Sequence, residues 1–180
     1  MTFNISMLTG RTDVIRTALS RLKDLSRLSQ KDFMDDYKNP AVAETFLRHC
    51  LEGIFDIGRH ILAKTGKVRL THEYKDIARG LGESGVLSQS LAEKLTEMAG
   101  YRNRIVYFYH EITDEELYNI LQTDLDDIRN FLEEIGRYLE GFRDADVIIT
   151  AYEANAQAQE AMIKCLKGEA DFKGRLPVRL

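Results

Sequence analysis

The chain contains no tryptophan and only two prolines in 180 residues. Little therefore interrupts a helix, and the abundance of Leu, Glu, Ala, Arg and Lys leans the same way. Cysteine is nearly absent. Cys50 and Cys165 lie far apart with no CxxC pair, which argues against a disulfide framework or a cysteine-based zinc site and for reduced thiols. No apolar run approaches the roughly 18 residues of a membrane span. The N-terminus has no basic region followed by an apolar run, so no secretory leader is expected. A basic excess is also missing: the formal net charge is −4, so any contact with nucleic acid must come from a local patch. Strand-period alternation, repeats and low-complexity segments are not found either. What remains is globular: 44% hydrophobic and 30% charged residues, enough for one ordinary domain with an appended element. The expectation is a soluble, cytoplasmic protein with no membrane contact.

Apolar residues at Val14, Ile15, Ala18, Leu19, Leu22, Leu25 and Leu28 recur with the helical period and predict a first helix from Asp13 to Leu28. Ser29 to Lys38 is acidic and polar around Phe33 and Met34, a short helix or a turn. Asn39-Pro40 reads as a cap followed by proline at the first helical position, starting a helix that Gly66 closes. Its apolar residues, from Phe46 to Leu62, lie nearly all round, so it should be the most buried element. His49 and His60 sit on it at a spacing that suits edge or core histidines better than a metal pair. A basic linker from Lys67 to Thr71 precedes a short helix from Tyr74, which Gly80-Leu81-Gly82 should stop. These glycines follow no strand and lack a following Gly-Lys-Ser/Thr, so they make no phosphate loop. Ser88 caps the next helix. Thr113-Asp114-Glu115-Glu116 forms a capping box that opens a long helix to about Phe142. Residues 146–167 read as further helix, and the last dozen as a frayed end. The fold class is all-α: an antiparallel helical bundle over residues 1–143, with an extra C-terminal helix and partly flexible extension over 144–180.

Between two of these helices lies Tyr101-Arg102-Asn103-Arg104-Ile105-Val106-Tyr107-Phe108-Tyr109-His110. At helical spacing Arg102, Val106 and Tyr109 share a face. A guanidinium suits a phosphate, and a phenol or imidazole beside it can move a proton. A partly buried helix that salt-bridges its neighbours accounts for the same residues, and spacing alone favours that simpler account. The acidic runs at Asp114–Glu116 and Asp124–Asp127 read as a helix start and a solvated face, with no metal site. Lys64, Lys67 and Arg69 are weak candidates for RNA contacts.

The run from Met98 through Val106, the aromatics after it and Thr113-Asp114-Glu115-Glu116-Leu117-Tyr118 resemble the HepT-like branch of the HEPN superfamily, toxins of toxin–antitoxin operons. The likeness spans residues from about 10 to 140. The family motif is Arg-x4-His-x-Tyr with a polar residue after the arginine: here Arg102, Asn103 and Tyr109. The histidine's place is taken by Tyr107, and His110 lies outside the register.

The resemblance implies a HEPN-like bundle acting as a metal-independent, cofactor-free endoribonuclease, with tRNA the favoured RNA class. Arg102 would hold the scissile phosphate. A homodimer would bring two motifs into one cleft. A cognate minimal nucleotidyltransferase antitoxin (MntA-like) would neutralise the toxin by adenylylating Tyr109. With a phenol near pH 10 where an imidazole near 6.5 is expected, the chain should be an inactivated or weakly active form. Arg104 and His110 are the auxiliary candidates, and His110 could serve only if the helix ends before it. The alternative is a non-catalytic HEPN partner that binds a nucleotidyltransferase, nucleotide or RNA. A helical adaptor with no site is the third reading.

Overall fold

The computed structural model describes residues 3–107 and 112–154, without the side chains of residues 107 and 142–154. The described residues form seven α-helices and a 3-10 turn, with no strand among them: α1 Ile5–Leu25, α2 Gln30–Asp35, α3 Lys38–Lys64, the turn Val68–Leu70, α4 Tyr74–Glu83, α5 Gln89–Tyr107, α6 Asp114–Thr123 and α7 Leu125–Ala154. None is long and apolar enough to cross a membrane. Met1–Tyr138 make one compact unit and Leu139–Leu180 a second, of which the described part is the C-terminal portion of α7. The helix expected over 146–167 lies outside the described residues beyond Ala154.

The hub is α3. It buries Leu47, Leu51, Ile54, Phe55, Ile57, Ile61 and Leu62, among others, and packs against α1, α2, α4, α5 and α6. Two glycines set its closest approaches: a Cβ on Gly53 would lie 2.7 Å from Ile15 of α1, and one on Gly58 would lie 2.7 Å from Ile77 of α4. Cys50 is fully buried on the same helix, with its Sγ 3.7 Å from the Ile15 carbonyl, and burial pushes its thiol up to about 12. It is an inert core residue. Gly66 (φ 79°) ends α3 in a Schellman arrangement, with Lys67 N–H donating to the Leu62 carbonyl at 2.9 Å.

Several expected boundaries move, each for a local reason. The first helix begins at Ile5, because Asn4 Oδ1 accepts from Met7 N–H at 3.0 Å. Asn39 does not cap α3. The helix starts at Lys38, Pro40 falls third in a turn whose N–H groups need no helical partner, and Asn39 Nδ2 instead donates to the Asp32 carbonyl. Nor do Gly80 and Gly82 stop α4. They lie within it, where a Cβ would meet Leu70 at 2.9 Å and Ala92 at 2.7 Å respectively, and the chain turns only at Gly85 (φ 68°). The long helix expected from Asp114 is two helices, separated at Asp124. The Thr123 hydroxyl lies 2.9 Å from the Asn119 carbonyl and 2.7 Å from Asp124 Oδ1, the side-chain competition that favours helix ends. Ser88 does cap α5. Its N–H and hydroxyl donate to the Glu134 carboxylate of α7 at 2.6 and 2.9 Å.

His60 takes an edge role: its Nε2 accepts from Asn4 N–H at 3.0 Å, and Phe3 packs its ring 6.2 Å away. Burial, followed by the charge of Lys64, lowers its pKa.

Gly58→Ala should cost about 1–2 kcal/mol, because overpacking against Ile77 outweighs the gain in helix propensity; thermal unfolding by circular dichroism measures it. His60 has the opposite pH sign to a salt-bridged histidine. The unfolded chain accepts a proton near pH 6.5 that the folded chain refuses. The stability His60 lends is therefore complete above about pH 6.5 and lost as pH falls. Urea titrations from neutral pH down to about 5.5 should show that slope in the native chain and a shallower one in His60→Gln.

Candidate functional site

Arg102 sits near the end of α5, half-buried, with its Nε and Nη1 shielded from solvent. Its guanidinium carbon lies 4.2 Å from the ring centroid of Tyr74, the first residue of α4. Packing of α4 along α5 makes that approach possible, and Phe55 of α3 backs the Tyr74 ring at 4.9 Å between centroids. The same ring carries a second cation, with Arg59 Cζ at 5.6 Å. Arg59 is itself fixed: Nε donates to the Thr71 carbonyl at 3.1 Å and Nη1 to Asp56 Oδ1 at 3.0 Å. The other oxygen of Asp56 takes Arg11 of α1 at 2.9 Å. Two guanidinium groups, those of Arg11 and Arg59, thus share the Asp56 carboxylate.

Two positions along α5, an arginine has a different setting. Arg104 makes a bidentate pair with Glu116 of α6, at 2.6 and 2.8 Å. Glu116 also anchors the expected capping box, its N–H donating to Thr113 Oγ1 at 3.2 Å. Arg104, an auxiliary candidate by sequence, is therefore a strut joining the helices on either side of residues 108–111. Further along, Tyr118 Oη donates to the Leu28 carbonyl and Gln122 Nε2 to the Ser26 carbonyl, both at 3.0 Å, which fixes α6 to the connection between α1 and α2.

Of the other predicted residues, Asn103 is half-buried directly after Arg102. Tyr107 is the last residue of α5, and its side chain lies outside the described residues, as do Tyr109 and His110 altogether. Burial first, then the charges of Asp124 and Glu116, push the Tyr101 phenol above its ordinary range and keep it protonated. Among the described residues no cluster of His, Cys, Asp and Glu could hold a metal ion. Lys67 is tied to Ser84 Oγ at 2.8 Å, while Lys64 and Arg69 are exposed. Sequence reasoning did not anticipate Tyr74 and Arg59 as neighbours of Arg102. Nothing in linear spacing connects positions 59, 74 and 102; the only available signal was an aromatic residue at the polar start of a short helix.

Glu116→Gln should keep the Thr113 cap and lose the charge-assisted pair, at a cost of about 1 kcal/mol in chemical denaturation. Thr113→Ala should cost a similar ~1 kcal/mol independently.

A model of the family described as "Ribonuclease HepT-like" matches residues 15–135. The chain is 24% identical over 129 residues to a tRNA nuclease HepT of Aphanizomenon flos-aquae, covering 72% of this chain and 87% of that protein. It is 27% identical over 89 residues to an mRNA nuclease HepT of Shewanella oneidensis, covering 49% and 66%. In fold it resembles a tri-AMPylated HEPN toxin of Shewanella oneidensis solved in complex with an MNT antitoxin. The TM-score is 0.65 at 22% identity, over 73% of this chain and 97% of the toxin. A toxin–antitoxin structure with AMP-PNP gives a TM-score of 0.63 at 21% identity, over 72% and 97%. With that family model matching residues 15–135 of an all-α bundle, the chain belongs to the ribonuclease HepT-like family.

Proposed function

We propose that this protein is the HEPN-type toxin of a toxin–antitoxin pair, a metal-independent endoribonuclease whose substrate class is RNA, with tRNA favoured. The observation that carries this reading is Arg102. It lies within the family match, is followed by Asn103, and has its guanidinium carbon 4.2 Å from the ring centroid of Tyr74. In the reaction, a ribose 2′-oxygen attacks the adjacent phosphorus as its proton passes to a base. The 5′-oxygen leaves with a proton, and a 2′,3′-cyclic phosphate remains. Arg102 would stabilise the charge that grows on the non-bridging oxygens. The base falls at position 107, and there the chemistry weakens. A phenol titrating near pH 10 is a poor proton acceptor at neutral pH, and general acid–base catalysis is worth about 100- to 10,000-fold. The chain as it stands is slow or inactive, with the substrate-holding half of the motif intact.

A homodimer would set two such motifs across one cleft. Regulation follows the chemistry of the structurally similar AMP-bearing toxin. A nucleotidyltransferase would transfer AMP from ATP to the Tyr109 hydroxyl, with release of pyrophosphate. The added phosphate would then compete with RNA for Arg102. Residues 1–143 would carry these functions, with 144–180 as an extension. A second reading draws on the same residues: Arg102-Asn103 with Tyr107 favours binding of RNA, nucleotide or the nucleotidyltransferase without cleavage.

Expression of the native chain, Tyr107→His, and Tyr107→His with Arg102→Ala tests the proposal through growth and RNA integrity. Arrest and cleavage by Tyr107→His alone are the expected result, with a rate gain of about 100-fold or more over the native chain. If Tyr107→His is as harmless as the native chain and leaves RNA intact, the binding reading replaces the nuclease. Toxicity of the native chain would place the base elsewhere.

A further inference from the structure

Charge is spread unevenly along the chain. Between residues 11 and 27 stand Arg11, Arg16, Arg21, Lys23 and Arg27 against only Asp13 and Asp24, on a chain of net charge −4. Arg16, Ser20, Lys23 and Arg27 recur at steps of four and three, which puts them in one row along α1 and its C-terminal end. All four border a groove whose other wall is α7. On that wall Arg129 is answered by Asp126 at 3.2 Å and Glu133 at 3.6 Å. The row on α1 is answered less well. Arg16 meets Asp13 at 3.9 Å and Arg27 meets Asp24 at 3.8 Å, long and exposed pairs of a kind worth little. No carboxylate pairs with Lys23 among the described residues. Lys23 and Arg27 also stand four apart, where like charges repel. The helix C-terminus favours a cation at these two positions but does nothing for Arg16 in mid-helix. An anion in the groove would relieve all three.

We infer that the row Arg16, Lys23 and Arg27, on the groove between α1 and α7, is a binding site for the backbone phosphates of RNA, separate from the Arg102 motif. This rests on the reading of the protein as an RNA-acting HEPN toxin and gives it a second contact surface. By the helical rise the row runs roughly 16 Å, so its repeated cations match a polymer that carries a charge on every unit. Guanidinium forks suit phosphate oxygens. Such contacts fix the position of a strand without reading its sequence. The row is also tied to the motif helix. Arg27 lies between Ser26 and Leu28, whose carbonyls accept from Gln122 and Tyr118 of α6. The same α6 holds Arg104 of α5 through Glu116. A strand held at the row is therefore held relative to α5. On an acidic chain, this local patch is what would draw RNA to one face.

The test is binding of a 2′-O-methyl RNA oligonucleotide, which lacks the attacking hydroxyl, to the full chain. Fluorescence anisotropy over a salt series reads both affinity and charge contacts. Arg16→Gln, Lys23→Gln and Arg27→Gln combined should weaken binding and lower the slope of log K against log salt by about 2, three single-strand phosphate contacts at ~0.7 each. If the combined variant fails to fold, the single variants decide, each with a loss of about 0.7. Arg21→Gln, Arg48→Gln and Arg79→Gln combined remove as much charge from exposed positions outside the groove and should leave the slope near native. An equal loss there overturns the site in favour of diffuse charge. A polyglutamate peptide is the second probe: if the groove variant loses polyglutamate but binds RNA as the native chain does, the groove takes an acidic protein and the inference falls. Weakening by Arg102→Gln with no effect of the groove variant overturns the inference and leaves the proposed function standing. If neither change weakens RNA binding, the RNA-acting reading falls, and the inference with it.

Discussion

A helix of 27 residues whose apolar side chains are not confined to one stripe has no stable place on a protein surface. α3 is such a helix, and burying it on several sides at once is the constraint the compact unit obeys. α1 crosses it at Gly53, α4 at Gly58, and α5 and α6 close further flanks. A fully buried Leu or Phe is worth roughly 1.5–3 kcal/mol relative to exposure, so the many buried residues of α3 dominate any local preference. The geometry around Arg102 inherits this order. Arg59 and Phe55 are on α3, Tyr74 is brought up by α4, and Arg102 arrives on α5. No one of these elements would hold the arrangement alone.

Periodicity made the helices legible, because each buries one face or more and the code for that is local. Helix ends were less so. Asn39-Pro40 carries a start signal, yet the actual start at Lys38 follows Asp36, whose carboxylate accepts the Lys38 N–H at 3.0 Å. Gly80 and Gly82 look like stops in sequence but are contact points in three dimensions, a distinction that depends on Leu70 and Ala92 arriving from elsewhere. Asp124 divides what the apolar pattern presents as one helix. The motif arginine was legible by resemblance alone; its platform was not, since a ring and two guanidinium groups separated by up to 43 positions leave no linear trace.

Arg102 and Arg104 show how one helix end can give two identical side chains different neighbours. A carboxylate partner fixes Arg104 and consumes its charge, so that residue ties α5 to α6. An aromatic partner meets Arg102, with an attraction of about 0.5–2 kcal/mol. The difference is set by which neighbour the fold delivers, Glu116 or Tyr74.

Cys50 carries a last consequence. Its thiol is sealed between α3 and α1 and needs a pH near 12 to ionise, so an alkylating reagent cannot reach it in the closed molecule. Its modification would therefore count the moments at which α1 lifts from α3. The thiol is a clock for the breathing of the core, built into the residue that reacts least.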